Sequence, residues 1–157
     1  MASDLTKAKT LALAVPAVLM LGALGSQYIG GLYPCEMCHW QRWPHDAAIV
    51  LALFAFGTRV NKASHVLVAL AALAIMVSGG IGVFHAGVEY GWWEGITTCS
   101  TTAAGVSLEV IMRAPVVRCD VPQWTLLGLS LAGYNAIISL GAGAVILGLL
   151  RRVGRTA

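Results

Sequence analysis

Charge is scarce in this chain. Of 157 residues, 10 are basic and 7 acidic, whereas 58% are hydrophobic and the mean hydropathy is +0.78. Soluble domains carry about 25% charged residues; at 11% that class is excluded, and residues 1–157 read as a single integral membrane domain. The basic residues do not interleave with aromatics, so no nucleic-acid partner is expected. No glycine-rich nucleotide loop and no iron–sulfur cysteine spacing is present. What the chain has instead is glycine, 18 residues of it, and alanine, small side chains that let helices approach closely in lipid.

Uncharged runs cover residues 10–33, 63–88 and 121–150. Each exceeds the roughly 20 residues that cross a bilayer core as a helix. A further run, 47–58, extends only about 18 Å as a helix and falls short. Its helix must start earlier and carry Asp46, His45 and Arg42 against the membrane, where ionisable groups are functional suspects. The expected architecture is therefore all-α, with four spans at about 10–32, 43–60, 64–88 and 124–150. Lys7, Lys9 and the small residues Ala23-Leu24-Gly25 resemble a secretory signal, but the apolar run is longer than a signal core, so an uncleaved first span is expected. Seven of the ten basic residues fall at the two ends and between spans two and three, while six of seven acids fall in or beside the other two connections. By the positive-inside rule both termini are cytoplasmic and those two connections face outward.

All four cysteines, Cys35, Cys38, Cys99 and Cys119, lie in the outward connections. A lone cysteine is often a small buried hydrophobe; two pairs on an oxidising side point to disulfides. The stretch Cys35-Glu36-Met37-Cys38-His39 admits two readings, because C-x-x-C-H attaches a c-type haem and C-x-x-C is an exchangeable dithiol. A membrane-anchored c-type cytochrome, with Met112 as a possible further ligand, would consume Cys35 and Cys38 and leave the other pair without a redox partner. A four-cysteine zinc site is disfavoured by the 19 residues between Cys99 and Cys119. A static staple is disfavoured because C-x-x-C closes too small a loop to restrict the unfolded chain. The redox dithiol is preferred and no metal is expected.

Such a dithiol needs a thiolate, which helix N-termini and cations stabilise. Pro34 suits the first position of a helix, with both cysteines in its first turn. Cys38, Arg42 and Asp46 recur at i, i+4, with Cys35 and His45 nearby. Pro44 predicts a kink or a restart. Thiol oxidation releases two electrons per disulfide, and a membrane-dissolved quinone is the acceptor left by elimination. In the second outward connection, Leu108, Ile111, Met112 and Pro115, with Glu109 and Arg113 on another side, predict a short amphipathic surface helix flanked by Cys99 and Cys119.

These residues together resemble the disulfide bond formation protein B (DsbB) family of bacterial inner-membrane thiol oxidases. The resemblance runs through Cys35-Glu36-Met37-Cys38 with Arg42, then His85-Ala86-Gly87-Val88-Glu89 before Cys99, then Cys119-Asp120 with Trp124 and the run from Leu127 to Asn135. It implies a four-helix bundle in the inner membrane that reoxidises a periplasmic thioredoxin-like (DsbA-like) dithiol protein and passes the electrons to ubiquinone or menaquinone. It implies that Cys99 forms the mixed disulfide with the partner and that Cys119 is its mate. Cys119 would exchange with Cys35, leaving Cys38 facing the quinone, with Arg42 and His85 beside it. Trp40 and Gln41 replace a tyrosine–glutamate pair common in the family, which leaves the details of the quinone pocket open.

Overall fold

The computed structural model describes residues 2–58, 62–96 and 117–155. Among them are four helices, α1 (Ala2–Tyr28), α2 (Glu36–Gly57), α3 (Lys62–Glu89) and α4 (Leu131–Arg155), and a two-stranded hairpin of β1 (Thr125–Leu126) and β2 (Leu129–Ser130). The segments Ser3–Tyr28, Lys62–Glu89 and Leu131–Val153 are long and apolar enough to cross a membrane. The 22 residues of α2 reach about 33 Å, but Glu36, Gln41, Arg42, His45 and Asp46 dilute its apolar character. Cys99 and the expected surface helix at 108–115 lie outside the described residues.

The structure refines the expectations at Pro34, Pro44 and Trp124. The helix of α2 begins at Glu36, with Cys35 as its N-cap, so Pro34 precedes the cap and does not occupy the first turn. Pro44 stands inside a helix that continues through it; the ring removes only the hydrogen bond to the Trp40 carbonyl. The last helix starts at Leu131, seven residues after Trp124, because Leu127 (φ 51°) and Gly128 (φ 78°) turn the chain back on itself. Two consecutive left-handed residues match the right-handed twist of a two-residue hairpin. The Tyr90 hydroxyl donates to Gly128 O (2.9 Å) and accepts from Ser130 N–H (3.0 Å), fixing the hairpin to the end of α3. Ser130 then caps α4, its Oγ accepting from Gly133 N–H at 3.1 Å.

Packing follows the small residues. Ala8 and Ala12 of α1, Ala48, Ala52 and Ala55 of α2, Ala71, Ala72 and Ile75 of α3, and Ile146 of α4 form one buried core. α3 is central and packs most extensively against α4 and α2. At Gly82 a β-carbon would stand 3.0 Å from Ala132 O and 3.1 Å from Ala136 N. Only glycine permits that approach, and it brings Asn135 of α4 across to α2 and α3. Outward faces are apolar: Val18, Leu21, Val50, Phe54, Val77 and Ile137 are each more than half exposed, as a lipid-facing surface requires.

Candidate active site

The site forms where the start of α2, the end of α3 and the segment before the hairpin meet. Cys35 has extended backbone (φ −76°, ψ 175°) and acts as a sulfur N-cap, its Sγ accepting from Cys38 N–H at 3.2 Å. That places both thiols over the unpaired amides of a helix N-terminus, where negative charge is favoured. The two sulfurs are 2.7 Å apart as free thiols. The hydrogen bond with Cys38, followed by burial, pushes the Cys35 thiol far above its ordinary range. Cys35 therefore keeps its proton, and the negative charge of a singly ionised pair rests on Cys38.

Cys119 joins this pair from the other side. Cys35 is 2% and Cys119 7% exposed, and both pack with Met37 and Val88. His85 Nε2 lies 3.6 Å from Cys35 Sγ and 3.7 Å from Glu89 Oε1. The Cys35 and Cys119 sulfurs and a His85 ring nitrogen fall within 4.8 Å of one another. Such a set could hold a soft divalent ion, but ligation would occupy the sulfurs that exchange needs. Beside Cys119, Arg118 clasps Asp120 through Nε (2.9 Å) and Nη2 (2.5 Å), which lowers the pKa of that exposed carboxylate. Gln123 Nε2 donates to Tyr33 O at 2.5 Å and ties the segment to the connection ahead of Cys35.

Arg42 makes its hydrogen bonds off its own helix, while its charge still acts on Cys38 one turn away. Its guanidinium reaches α1, donating to Gln27 Oε1 at 2.6 Å and to Ala23 O at 3.2 Å. It lines a cavity of about 370 Å³ together with Cys35, Cys38, His45, His85 and Asn135, against apolar walls such as Val18 and Leu19 of α1.

A buried polar chain connects the two histidines of this cavity. Gln41 Nε2 donates to Met37 O (3.2 Å) and to His85 Nδ1 (2.9 Å). The carbonyl fixes the orientation of the amide, so His85 Nδ1 accepts and its neutral ring carries the proton on Nε2, toward Cys35. Asn135 Nδ2 donates to Gln41 Oε1 (2.8 Å) and to Ser78 O (3.2 Å). Asn135 Oδ1 therefore accepts, from Ser139 Oγ at 2.8 Å and from His45 Nε2 at 2.9 Å. Donors thus point one way from His45 through Asn135, Gln41 and His85 to the Cys35 sulfur, each bond polarising the next. The Cys35 sulfur accepts from Cys38 N–H and faces His85 Nε2–H, which the Cys119 backbone also approaches.

Of the residues singled out from sequence, Cys35, Cys38, Cys119 and His85 meet, Arg42 stands at the same cavity, and His45 joins as the ionisable suspect of α2. Gln41, Ser78 and Asn135 were missed as parts of the site. Their signal was available: each is a polar side chain in an otherwise apolar helix. The haem reading finds no support: His39, which completes its motif, is exposed, and the likeness to known proteins points elsewhere.

The family model for the disulfide bond formation protein DsbB matches residues 6–149. A disulfide bond formation protein B of Polaromonas sp. (strain JS666) is 30% identical, the alignment covering 97% of this chain and 95% of the relative. That of Acidovorax sp. (strain JS42) is also 30% identical, covering 98% and 93%. An uncharacterized protein of Rickettsia prowazekii (strain Madrid E) is 26% identical over 87% of this chain and 83% of its own length. No solved structure matches the chain.

Proposed function

Because the chain belongs to the DsbB family of disulfide bond formation proteins, we propose that it is a thiol:quinone oxidoreductase that reoxidises a thioredoxin-like dithiol protein outside the inner membrane. The observation that carries this reading is the meeting of three sulfurs, two of which line one cavity. Cys35 lies between Cys38 and Cys119, and Cys38 lines the cavity that the Arg42 guanidinium also faces. The partner's thiolate attacks Cys99 of a Cys99–Cys119 disulfide and frees Cys119, which attacks Cys35 of the Cys35–Cys38 disulfide and frees the Cys38 thiolate; once the partner's second thiol releases Cys99, Cys99 retakes Cys119 from Cys35, so electrons move inward and the oxidising equivalent outward. When Cys35 is displaced it leaves as a thiolate met by Cys38 N–H and His85 Nε2–H.

The residues of the cavity fit a quinone ring. Apolar walls and a permanent cation at Arg42 suit a flat apolar ring with polar edges. A quinone bound there, ubiquinone or menaquinone, supplies acceptance of two electrons and two protons. Cys38 presents the thiolate to it, Arg42 orients and balances charge, and the α1 side chains exclude water. α2 completes a four-span bundle, since Val50, Leu53 and Phe54 face outward like the apolar faces of the other three helices. Both termini are then cytoplasmic and the cysteine segments periplasmic.

The test is a trapped intermediate. In the oxidised wild-type chain, a thioredoxin-like protein that keeps only its attacking cysteine should open the Cys99–Cys119 disulfide, free the Cys119 thiol and stay joined to Cys99, since it lacks the second thiol that would release itself, and this adduct should accumulate on non-reducing gels. Capture of that partner on Cys35 instead, or no capture at all, would overturn the reading.

A further inference from the structure

We propose that the buried carboxylate of Glu89 makes the Cys35–Cys38 pair a stronger electron donor, by setting a fixed negative charge against the thiolate that reduction creates at Cys38. This rests on the reading of that pair as the quinone-facing dithiol and names the group that tunes it.

Glu89 is the last residue of α3 and lies inside the site. Its side chain is 7% exposed, and among the described residues it is the one carboxyl that lines the cavity shared by Cys38 and Arg42. The groups that face it bring hydrogens. Oε1 stands 3.7 Å from His85 Nε2, which carries the ring proton because Gln41 donates to Nδ1. The Ser130 hydroxyl approaches the carboxyl from the hairpin. Donors around a carboxyl favour its ionised form. The two arginines of the cavity are turned to other oxygens, Arg42 to Gln27 and Ala23 and Arg118 to Asp120, and the His85 ring is neutral. The negative charge of Glu89 is therefore left to act on the sulfurs.

In the oxidised pair neither sulfur is charged, and Glu89 opposes nothing. Reduction opens the disulfide to a thiol at Cys35 and a thiolate at Cys38. The hydrogen bond with Cys35 holds the Cys38 thiol below its ordinary range; burial resists, and so does the charge of Glu89, which outweighs the help from Arg42. Like charges repel strongly where water is excluded, so Glu89 raises the free energy of the reduced pair and leaves the disulfide unaffected. Closing the pair releases two electrons and the Cys35 proton, which with one further proton from solvent convert quinone to quinol. The same step removes the Cys38 charge and with it the repulsion.

The experiment uses the full chain with Cys99→Ser and Cys119→Ser in detergent without quinone, so that only the Cys35–Cys38 couple titrates. The protein is equilibrated anaerobically at neutral pH with mixtures of reduced and oxidised dithiothreitol, and free thiols are counted by alkylation. Glu89→Gln should raise the equilibrium constant for reduction about tenfold, ~30 mV for a two-electron couple, and Glu89→Asp should stay close to the parent. The difference should close at acid pH, where Cys38 is a neutral thiol in both chains; a gap that persists there marks a structural disturbance and refutes the electrostatic role. The other titratable and charged groups of the cavity, Tyr33, Arg42, His45, His85, Arg118 and Tyr134, are the same in each chain. In a chain that keeps Cys38 and has serine for the other three cysteines, Glu89→Gln should bring iodoacetamide alkylation to lower pH, and an unmoved midpoint refutes the assignment. An unmoved redox equilibrium, or a shift toward the disulfide, overturns the proposal and leaves the dithiol reading intact; failure of Cys35 and Cys38 to form a disulfide in any mixture overturns that reading itself.

Discussion

Arg42→Met separates the charge of this residue from its packing. The native guanidinium donates to Gln27 Oε1 and Ala23 O of α1 and sits one helical turn beyond Cys38, with β-carbons about 6 Å apart. At an effective dielectric of about 20, a unit charge at ~6 Å would act on a thiolate with ~2.8 kcal/mol, but the guanidinium is half-buried and engaged with two oxygens on α1, so solvent screening leaves only a fraction of that. In a chain whose other three cysteines are serine, Cys38 should thus form its thiolate at higher pH when Arg42 is methionine, because a cation that favours its ionised form is gone. The assay is the rate of iodoacetamide alkylation against pH. Arg42→Lys should recover part of the shift, keeping the charge without the planar fork. A midpoint unmoved by Arg42→Met would refute the electrostatic role and leave Arg42 as a tie between α1 and α2.

Asn135→Leu strands Gln41 Oε1 and Ser139 Oγ and leaves His45 Nε2 with Ser78 Oγ alone, at about 1–3 kcal/mol for each buried group left unpaired. Its thermal melt in detergent should fall well below that of Ser139→Ala, which removes one terminal member, and equal melts would argue against a shared network. For the reduced protein the raised pKa of Cys35 has a definite sign. Above about pH 9 the unfolded thiol loses a proton that the folded one keeps, so stability falls with rising pH by up to ~1.4 kcal/mol per unit. Denaturation series between about pH 9 and 11, above the range in which the lowered Cys38 acts with the opposite sign, should show a steeper decline for wild type than for Cys35→Ser; parallel lines would contradict the shift. Reporter fusions after Lys62 and Arg155 should read cytoplasmic and one after Gly95 external, and an external C-terminus would break the four-span topology.

The long helices were legible because a membrane makes one demand, an uninterrupted apolar run, which shows in sequence without any knowledge of neighbours. The same criterion failed at residues 125–130, where Thr125-Leu126-Leu127-Gly128-Leu129-Ser130 is uncharged enough to pass for helix. Only the left-handed pair Leu127 and Gly128 reveals the turn, and a leucine in that conformation gives no local warning. At α2 the apolar run is too short to span by itself, and the helix starts well before it, at Glu36 ahead of Arg42. The cysteine cluster was half legible. C-x-x-C spacing puts Cys35 and Cys38 together by itself, whereas the approach of Cys119 and His85 depends on how α3 packs beside α2. The chain from His45 to His85 draws one or two residues from each of α2, α3 and α4, so no periodicity within a single helix encodes it. What sequence did offer was the oddity of Gln41, Ser78 and Asn135 in apolar surroundings.

The central claim is that thiols in this chain lose electrons to a quinone. The direct measurement places the fully reduced protein in lipid without oxygen, adds a quinone, and follows free thiols and quinone absorbance together. Two thiols should disappear for each quinone reduced, with Cys38→Ser abolishing both changes, and excess reduced dithiol partner should sustain the reaction over many turnovers. Thiols that persist while the quinone stays oxidised would contradict the account.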